Sequence, residues 1–144
     1  MEEIPPSLLA LTTYLLSRVG KSARGRLAGR LAEQGLKLWH MAVLAALADF
    51  GPHAQRDLAT RLTIDPSDVV KVVDELAAAG YAERARDQAD RRRVVVSLTP
   101  GGRAALADLD VTARAVQEEI LGPLDAHERE VLHDLLSRLQ PRLG

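Results

Sequence analysis

The sequence predicts a mainly α-helical α+β domain in which one small β-hairpin follows a helix-turn-helix and long helices stand at either end. Three observations predict it. Apolar residues recur at helical spacing over most of the chain, and only the stretch around Val94-Val95-Val96 turns β-branched. Aromatic residues make up 3% of the chain while Ala and Leu abound, so the core is aliphatic and helix is favoured over a β-sandwich. Helix start and stop signals, namely Asp65-Pro66, Gly80, Thr99-Pro100, Gly122-Pro123 and Asp125 with Glu128, punctuate the pattern at the intervals such a fold needs. At 144 residues, 47% hydrophobic and 27% charged, the chain suits one folded domain over 1–144.

Taken in order, Ser7 to Ala32 carries Leu8, Leu11, Leu15, Leu16, Val19, Leu27 and Leu31 in a helical stripe, weakened by Gly20, Gly25 and Gly29. Lys37 to Asp49 is apolar on nearly every side and stops at Gly51-Pro52, the pattern of a buried central helix. Ala54 to Leu62 forms a short helix with Leu58, Ala59 and Leu62 inward. After Thr63-Ile64, Asp65 is an N-cap, Pro66 suits the first helical position and Asp68 complements the macrodipole, so a second helix starts at once and runs to Gly80. Tyr81 to Arg86 and Arg93 to Leu98 are the strands of a hairpin whose polar connection runs from Asp87 to Arg92. Thr99-Pro100 opens a helix through Leu106, Leu109, Val116 and Ile120 to Gly122-Pro123. Asp125 and Glu128 make a capping box for a last helix that ends before Pro141.

Charge is uneven beneath a formal net value of −1. Tyr81 to Arg103 holds six arginines against Glu83, Asp87 and Asp90, whereas the remainder to the C-terminus is acidic. Binding to nucleic acid depends on such a local patch and not on the total. The absence of cysteine excludes disulfides, thiolate metal sites and thiol nucleophiles. His40, His53, His127 and His133 are scattered without zinc spacing, and no phosphate-cradling glycine loop occurs, so the sequence calls for no metal, no cofactor and no enzymatic activity. The start lacks a basic signal region and the longest apolar run, Met41 to Ala48, is too short to span a bilayer, so a cytoplasmic protein with no membrane partner is expected.

On a helical wheel, Val69, Val72, Val73 and Leu76 share one side of the helix that starts at Pro66, opposite Ser67, Lys71, Asp74 and Ala78, with Val70 at the flank. The outer side is small, polar and partly cationic, as on a helix that enters a major groove, although an ordinary solvated face looks the same. In a groove, Ser67 and Lys71 would hold phosphate or a base edge, Val70 would meet a thymine methyl, and Asp68 or Asp74 would accept from cytosine. Arg91-Arg92-Arg93 at the hairpin tip concentrates positive charge where packing demands none, which suits phosphate or a narrow minor groove, with Asp90 placed to hold an arginine extended.

Leu38 to Leu106 resembles the multiple antibiotic resistance regulator (MarR) family of winged-helix transcription factors. The residues that carry the likeness are Ala42-Val43-Leu44-Ala45-Ala46-Leu47, Gln55-Arg56-Asp57-Leu58-Ala59, Val73-Asp74-Glu75-Leu76 and Gly80-Tyr81-Ala82-Glu83-Arg84. Most specific is Asp90-Arg91-Arg92 followed by Ser97-Leu98-Thr99-Pro100-Gly101-Gly102-Arg103. The flanking long helices agree with the family's order. The resemblance implies a winged helix-turn-helix lobe over 36–99 and long dimerisation helices over 5–33 and 100–140. It further implies a homodimer that binds double-stranded DNA at a pseudo-palindromic operator, as a repressor. The helix from Pro66 would be the recognition helix, Arg92 the wing arginine in the minor groove, and Arg56 a phosphate contact. The expected DNA-binding set is thus Gln55, Arg56, Ser67, Asp68, Val70, Lys71, Arg86, Asp90, Arg91 and Arg92. Asp68 and Val70 stand where many members carry Thr, which bears on base preference.

Dimerisation also follows from the residues themselves: the terminal leucine stripes are wider than one small lobe buries. A small aromatic or anionic effector is expected from the family, with Tyr14, Arg18, Trp39 and His40 as lining residues. The competing assignment makes Tyr14 and Trp39 interface packing and His40 a surface residue. For the function as a whole, the alternative is a winged-helix protein-interaction module whose arginine tip meets an acidic partner.

Overall fold

A computed structural model describes residues 3–140. Its helices are α1 (Pro6–Leu9), α2 (Thr12–Glu33), α3 (Leu38–Phe50), α4 (Gln55–Leu62), α5 (Pro66–Ala78), α6 (Pro100–Leu121) and α7 (Ala126–Leu139). Three strands, β1 (His53–Ala54), β2 (Ala82–Arg86) and β3 (Val94–Leu98), form an antiparallel sheet in the order β1-β3-β2. The chain divides into two compact units: the described residues up to Ala23 and from Ala113 onward, and Arg24–Thr112.

The Arg24–Thr112 unit is organised around α3, whose Val43, Leu44 and Leu47 are buried with Leu58 of α4, Val69, Val73 and Leu76 of α5, and Val96 of β3. Leu31 and Leu109 complete this aliphatic core. Each fully buried Val or Leu contributes about 1.5–3 kcal/mol relative to exposure, so the core determines which face of every helix turns inward. The α5 phase expected from the wheel is the one observed: Val69, Val72, Val73 and Leu76 are its buried residues.

The caps also behave as expected. Asp65 accepts from the Ser67 backbone N–H at 2.8 Å, and Gly80 follows α5 with φ +81°, a conformation glycine adopts without strain. Thr99 Oγ1 accepts from Gly102 N at 2.9 Å and donates to the Gly80 carbonyl at 2.6 Å, so one hydroxyl joins the end of α5 to the start of α6. Asp125 and Glu128 cap α7 reciprocally, at 2.9 and 3.0 Å. The predicted stop at Pro141 lies outside the described residues.

Two features differ from expectation. The N-terminal stripe is not one helix from Ser7: it breaks at Ala10-Leu11, where Leu11 N bonds back to Leu8 O at 3.0 Å and the Leu11 carbonyl starts α2 by accepting from Tyr14 and Leu15. Gly20, Gly25 and Gly29 remain inside α2, because its continuous backbone ladder outweighs their weak propensity. The hairpin also gains a third strand. His53 pairs with Val96 and Ala54 with Val95, covering the β3 edge that a two-stranded ribbon would leave open. Two residues are too few to show alternation, which is why periodicity misses β1.

In the other unit Val116 is buried, and Arg129 ties α7 to α6 by pairing with Glu118 at 2.7 Å and donating from Nε to the Leu124 carbonyl at 3.1 Å. Leu11, Leu15, Leu16 and Val19, with Val131, Leu135, Leu136 and Leu139 of α7, are exposed. Among the described residues, no helix is long and apolar enough to cross a membrane.

The close approach of α6 to the end of α5 makes a testable demand on one glycine. A Cβ at Gly102 would lie 2.0 Å from the Tyr81 carbonyl oxygen and 2.7 Å from Leu98 Cδ1. Gly102→Ala is therefore expected to destabilise the fold by about 2 kcal/mol or more, despite alanine's better helix propensity. Gly101→Ala, whose Cβ meets the Gly80 carbonyl at 3.2 Å, should cost less. Urea denaturation of the two variants measures the difference.

Candidate nucleic-acid interface

A tight turn sets the geometry between α4 and α5. Thr63 closes α4 in the left-handed region at φ 55°, and α5 begins after Ile64 and Asp65. The Ser67 hydroxyl and backbone N–H both donate to Asp65 Oδ1, and these bonds hold the Asp65 carboxyl below its ordinary pKa, the hydroxyl contributing most. Ser67's single O–H is thereby committed to the cap, so donation to a phosphate would require that hydroxyl to rotate.

Beyond the cap, α5 turns Asp68, Val70, Lys71 and Asp74 outward. Asp74 does not stand alone on this face: its Oδ1 pairs with Arg84 Nη1. Arg84, on β2, also donates from Nε to Gln55 Oε1 at 2.6 Å and from Nη2 to the Val70 carbonyl at 2.9 Å. Sequence reasoning missed this residue. Its signal was available: counting by two from the inward Ala82 puts Arg84 on the inner face of β2, where an unpaired cation is costly.

The hairpin connection folds on itself. Asp87 N donates to the Arg93 carbonyl at 2.9 Å, Arg93 N to the Asp90 carbonyl at 3.0 Å, and Arg86 Nη1 to the Arg91 carbonyl at 2.8 Å. Asp90 Oδ1 receives both the Arg92 backbone N–H at 3.1 Å and its Nε at 3.3 Å. The Arg92 side chain is nevertheless 93% exposed. Arg93 behaves differently from its neighbours: its Nη2 pairs with Asp57 Oδ2 of α4 at 3.0 Å and ties the hairpin base to the helix. Between hairpin and α4 lies a cleft of about 620 Å³ lined by Gln55, Arg56, Asp57, Asp90, Arg92 and Arg93.

Of the expected DNA-binding residues, Gln55, Arg56, Asp90 and Arg92 therefore line one cleft. Ser67, Asp68, Val70 and Lys71 are exposed along α5, and Arg86 and Arg91 are exposed on the hairpin. The expected effector residues fall in both units. Tyr14 is half-buried and Arg18 exposed on the part of α2 before Ala23; Trp39 is exposed on α3. His40 is no surface residue: it is buried, its Nδ1 accepts from Lys37 N at 2.8 Å, and its Nε2 lies 3.2 Å from Glu75 Oε2 without hydrogen-bond alignment. His53 is also buried. It accepts from Arg61 Nε at 2.9 Å, and the Arg61 guanidinium stacks on Phe50, 3.9 Å from the ring centroid. No group of three His, Cys, Asp or Glu positioned for a metal occurs among the described residues.

Residues 34–93 match a family model described as MarR family. Over 96 residues the chain is 34% identical to the HTH-type transcriptional repressor NicR of Pseudomonas putida, a match that takes in 67% of this chain and spans 61% of that relative's length. A probable transcriptional regulator from Pseudomonas aeruginosa superposes with a TM-score of 0.78 at 32% identity, covering 92% of this chain and 98% of its own. BpsR of Bordetella bronchiseptica, whose DNA binding is regulated by 6-hydroxynicotinic acid, superposes at 0.75 with 29% identity, covering 89% of this chain and 97% of its own.

The Asp65 cap has a definite sign in pH. A carboxyl whose folded pKa is lowered stabilises the fold above its unfolded pKa, and that contribution disappears as the pH falls through the folded value. The stability difference between the natural protein and Asp65→Ala should be largest near neutral pH and shrink as the pH drops below the ordinary carboxylate range. Thermal melts at a series of pH values measure it; a gap that widens on acidification contradicts the assignment.

Proposed function

The chain belongs to the MarR family, and on that premise we propose that it is a DNA-binding transcriptional repressor, acting in the cytoplasm as a homodimer on a pseudo-palindromic operator. The observation that carries this reading is the Arg92 guanidinium, almost wholly solvated yet steered by Asp90, beside the cleft that Gln55 and Arg56 line. A cation held outward at the end of a short ribbon matches the enhanced negative potential of a narrow minor groove.

In this reading α5 enters the major groove. Lys71 meets phosphate or a base edge, Val70 a thymine methyl, and Asp68 a cytosine amino group. Gln55, Arg56, Arg86 and Arg91 contact the backbone, and Ser67 serves mainly as the partner of its cap. The exposed leucines of α2 and α7 favour dimerisation: a second copy removes them from water and supplies the second α5 that a two-fold operator needs. Release by a small molecule is proposed from the regulation of BpsR.

Two measurements test the proposal. On a duplex selected by this protein from a random pool, Arg92→Ala should weaken binding by about 1–3 kcal/mol per half-site without changing the melting temperature. If Arg92 neutralises phosphate, the slope of log affinity against log salt should fall by about 0.9 per lost contact, or nearly two per dimer. Unchanged affinity and slope would put the protein-interaction reading ahead. For the dimer, sedimentation of the intact chain at micromolar concentration should give one dimeric species, and removal of α7 should abolish it; a monodisperse intact monomer refutes it.

A further inference from the structure

We infer that Arg84 is a positioning residue that sets the polar face presented to DNA, a role that rests on the DNA-binding reading above. Its guanidinium joins three places that are 29, 10 and 14 residues away in sequence: Gln55 at the start of α4, Asp74 on the outer side of α5, and the Val70 carbonyl in the middle of α5.

Each bond has a separate chemical consequence. Gln55 Oε1 accepts from Arg84 Nε, which fixes the orientation of the amide. With Oε1 turned to Arg84, the NH₂ is the end directed away from it, and a donor is what a phosphate oxygen requires. Gln55 also lines the cleft, together with Arg56, Asp57, Asp90, Arg92 and Arg93. Asp74 would otherwise leave a free negative charge on the side of α5 that carries Lys71, and like charge facing phosphate costs affinity. The Arg84 partner neutralises it. The bond to the Val70 carbonyl anchors α5 to β2 at the residue whose side chain is exposed on the outer face.

Arg84 itself is a poor candidate for touching DNA. Its side chain is 28% exposed, and three of its five N–H donors are already engaged. It therefore acts through Gln55, Asp74 and α5. A lysine in its place would keep the charge that neutralises Asp74 but lose the fork that also reaches Gln55 and Val70.

The experiment uses the intact protein and a duplex it selects from a random pool, with anisotropy titrations between about 50 and 200 mM salt. Arg84→Met keeps the apolar stem and should weaken binding on the order of tenfold or more, with the salt slope unchanged. Adding Asp74→Asn should recover about half of the logarithmic loss or more, because the exposed carboxylate is gone. Arg84→Lys should fall between the natural protein and Arg84→Met. A slope that drops by nearly two per dimer would make Arg84 a direct phosphate contact and overturn the inference. Failure of Asp74→Asn to recover any affinity in a folded double variant would overturn it too. Amide NMR without DNA gives an independent reading, since the Gln55 side-chain signals should shift in Arg84→Lys; unmoved signals reject the lock even if Arg84→Met does not fold. If the natural protein selects no duplex while Gln55 responds to Arg84, the DNA-binding reading fails and the side-chain lock stands.

Discussion

Burial of the α5 valines against α3 is the constraint on which the rest depends. Val69, Val72, Val73 and Leu76 have nowhere apolar to go except the core around Leu44 and Leu47, so the helix has one rotational setting. Every outward residue follows from it: Val70, Lys71 and Asp74 face away because their neighbours in the 3.6-residue repeat face in. The Asp65 cap fixes the helix start and the Thr99 hydroxyl clasps its end, so rotation and both termini are determined by local chemistry.

Electrostatics then sorts arginines of one type into different tasks. Arg84 and Arg93 have carboxylate partners on helices and hold the sheet to α5 and α4. Arg92 has its carboxylate on its own turn, two residues away, and reaches solvent. Since exposed pairs contribute only about 0–1 kcal/mol, the Asp90–Arg92 contact orients a side chain more than it stabilises the fold. A tip designed only for solubility would need neither the carboxylate nor the clustering. The exposed leucines of the other unit lie outside this logic.

The sequence by itself determined whatever depends on residues within about one helical turn of each other. The Asp65, Thr99 and Asp125 caps, the α5 phase, the hairpin and the Asp90–Arg92 neighbourhood were all legible, because capping and amphipathic periodicity act over three or four positions. Only the tertiary structure decided what depends on distant partners. His53–Ala54 becomes a strand because Val95 and Val96 offer an edge more than forty positions on; Arg84 becomes a junction because folding brings Gln55, Val70 and Asp74 within reach of one guanidinium. His40 is buried, with Nε2 3.2 Å from Glu75 Oε2 of α5, while the adjoining Trp39 stays exposed, because only one side of the first turn of α3 faces the packed helices. The physical reason is the same in each case: a cap or a stripe is satisfied by its own neighbours, whereas a sheet edge or an inward cation is satisfied by whichever group the closed core sets beside it.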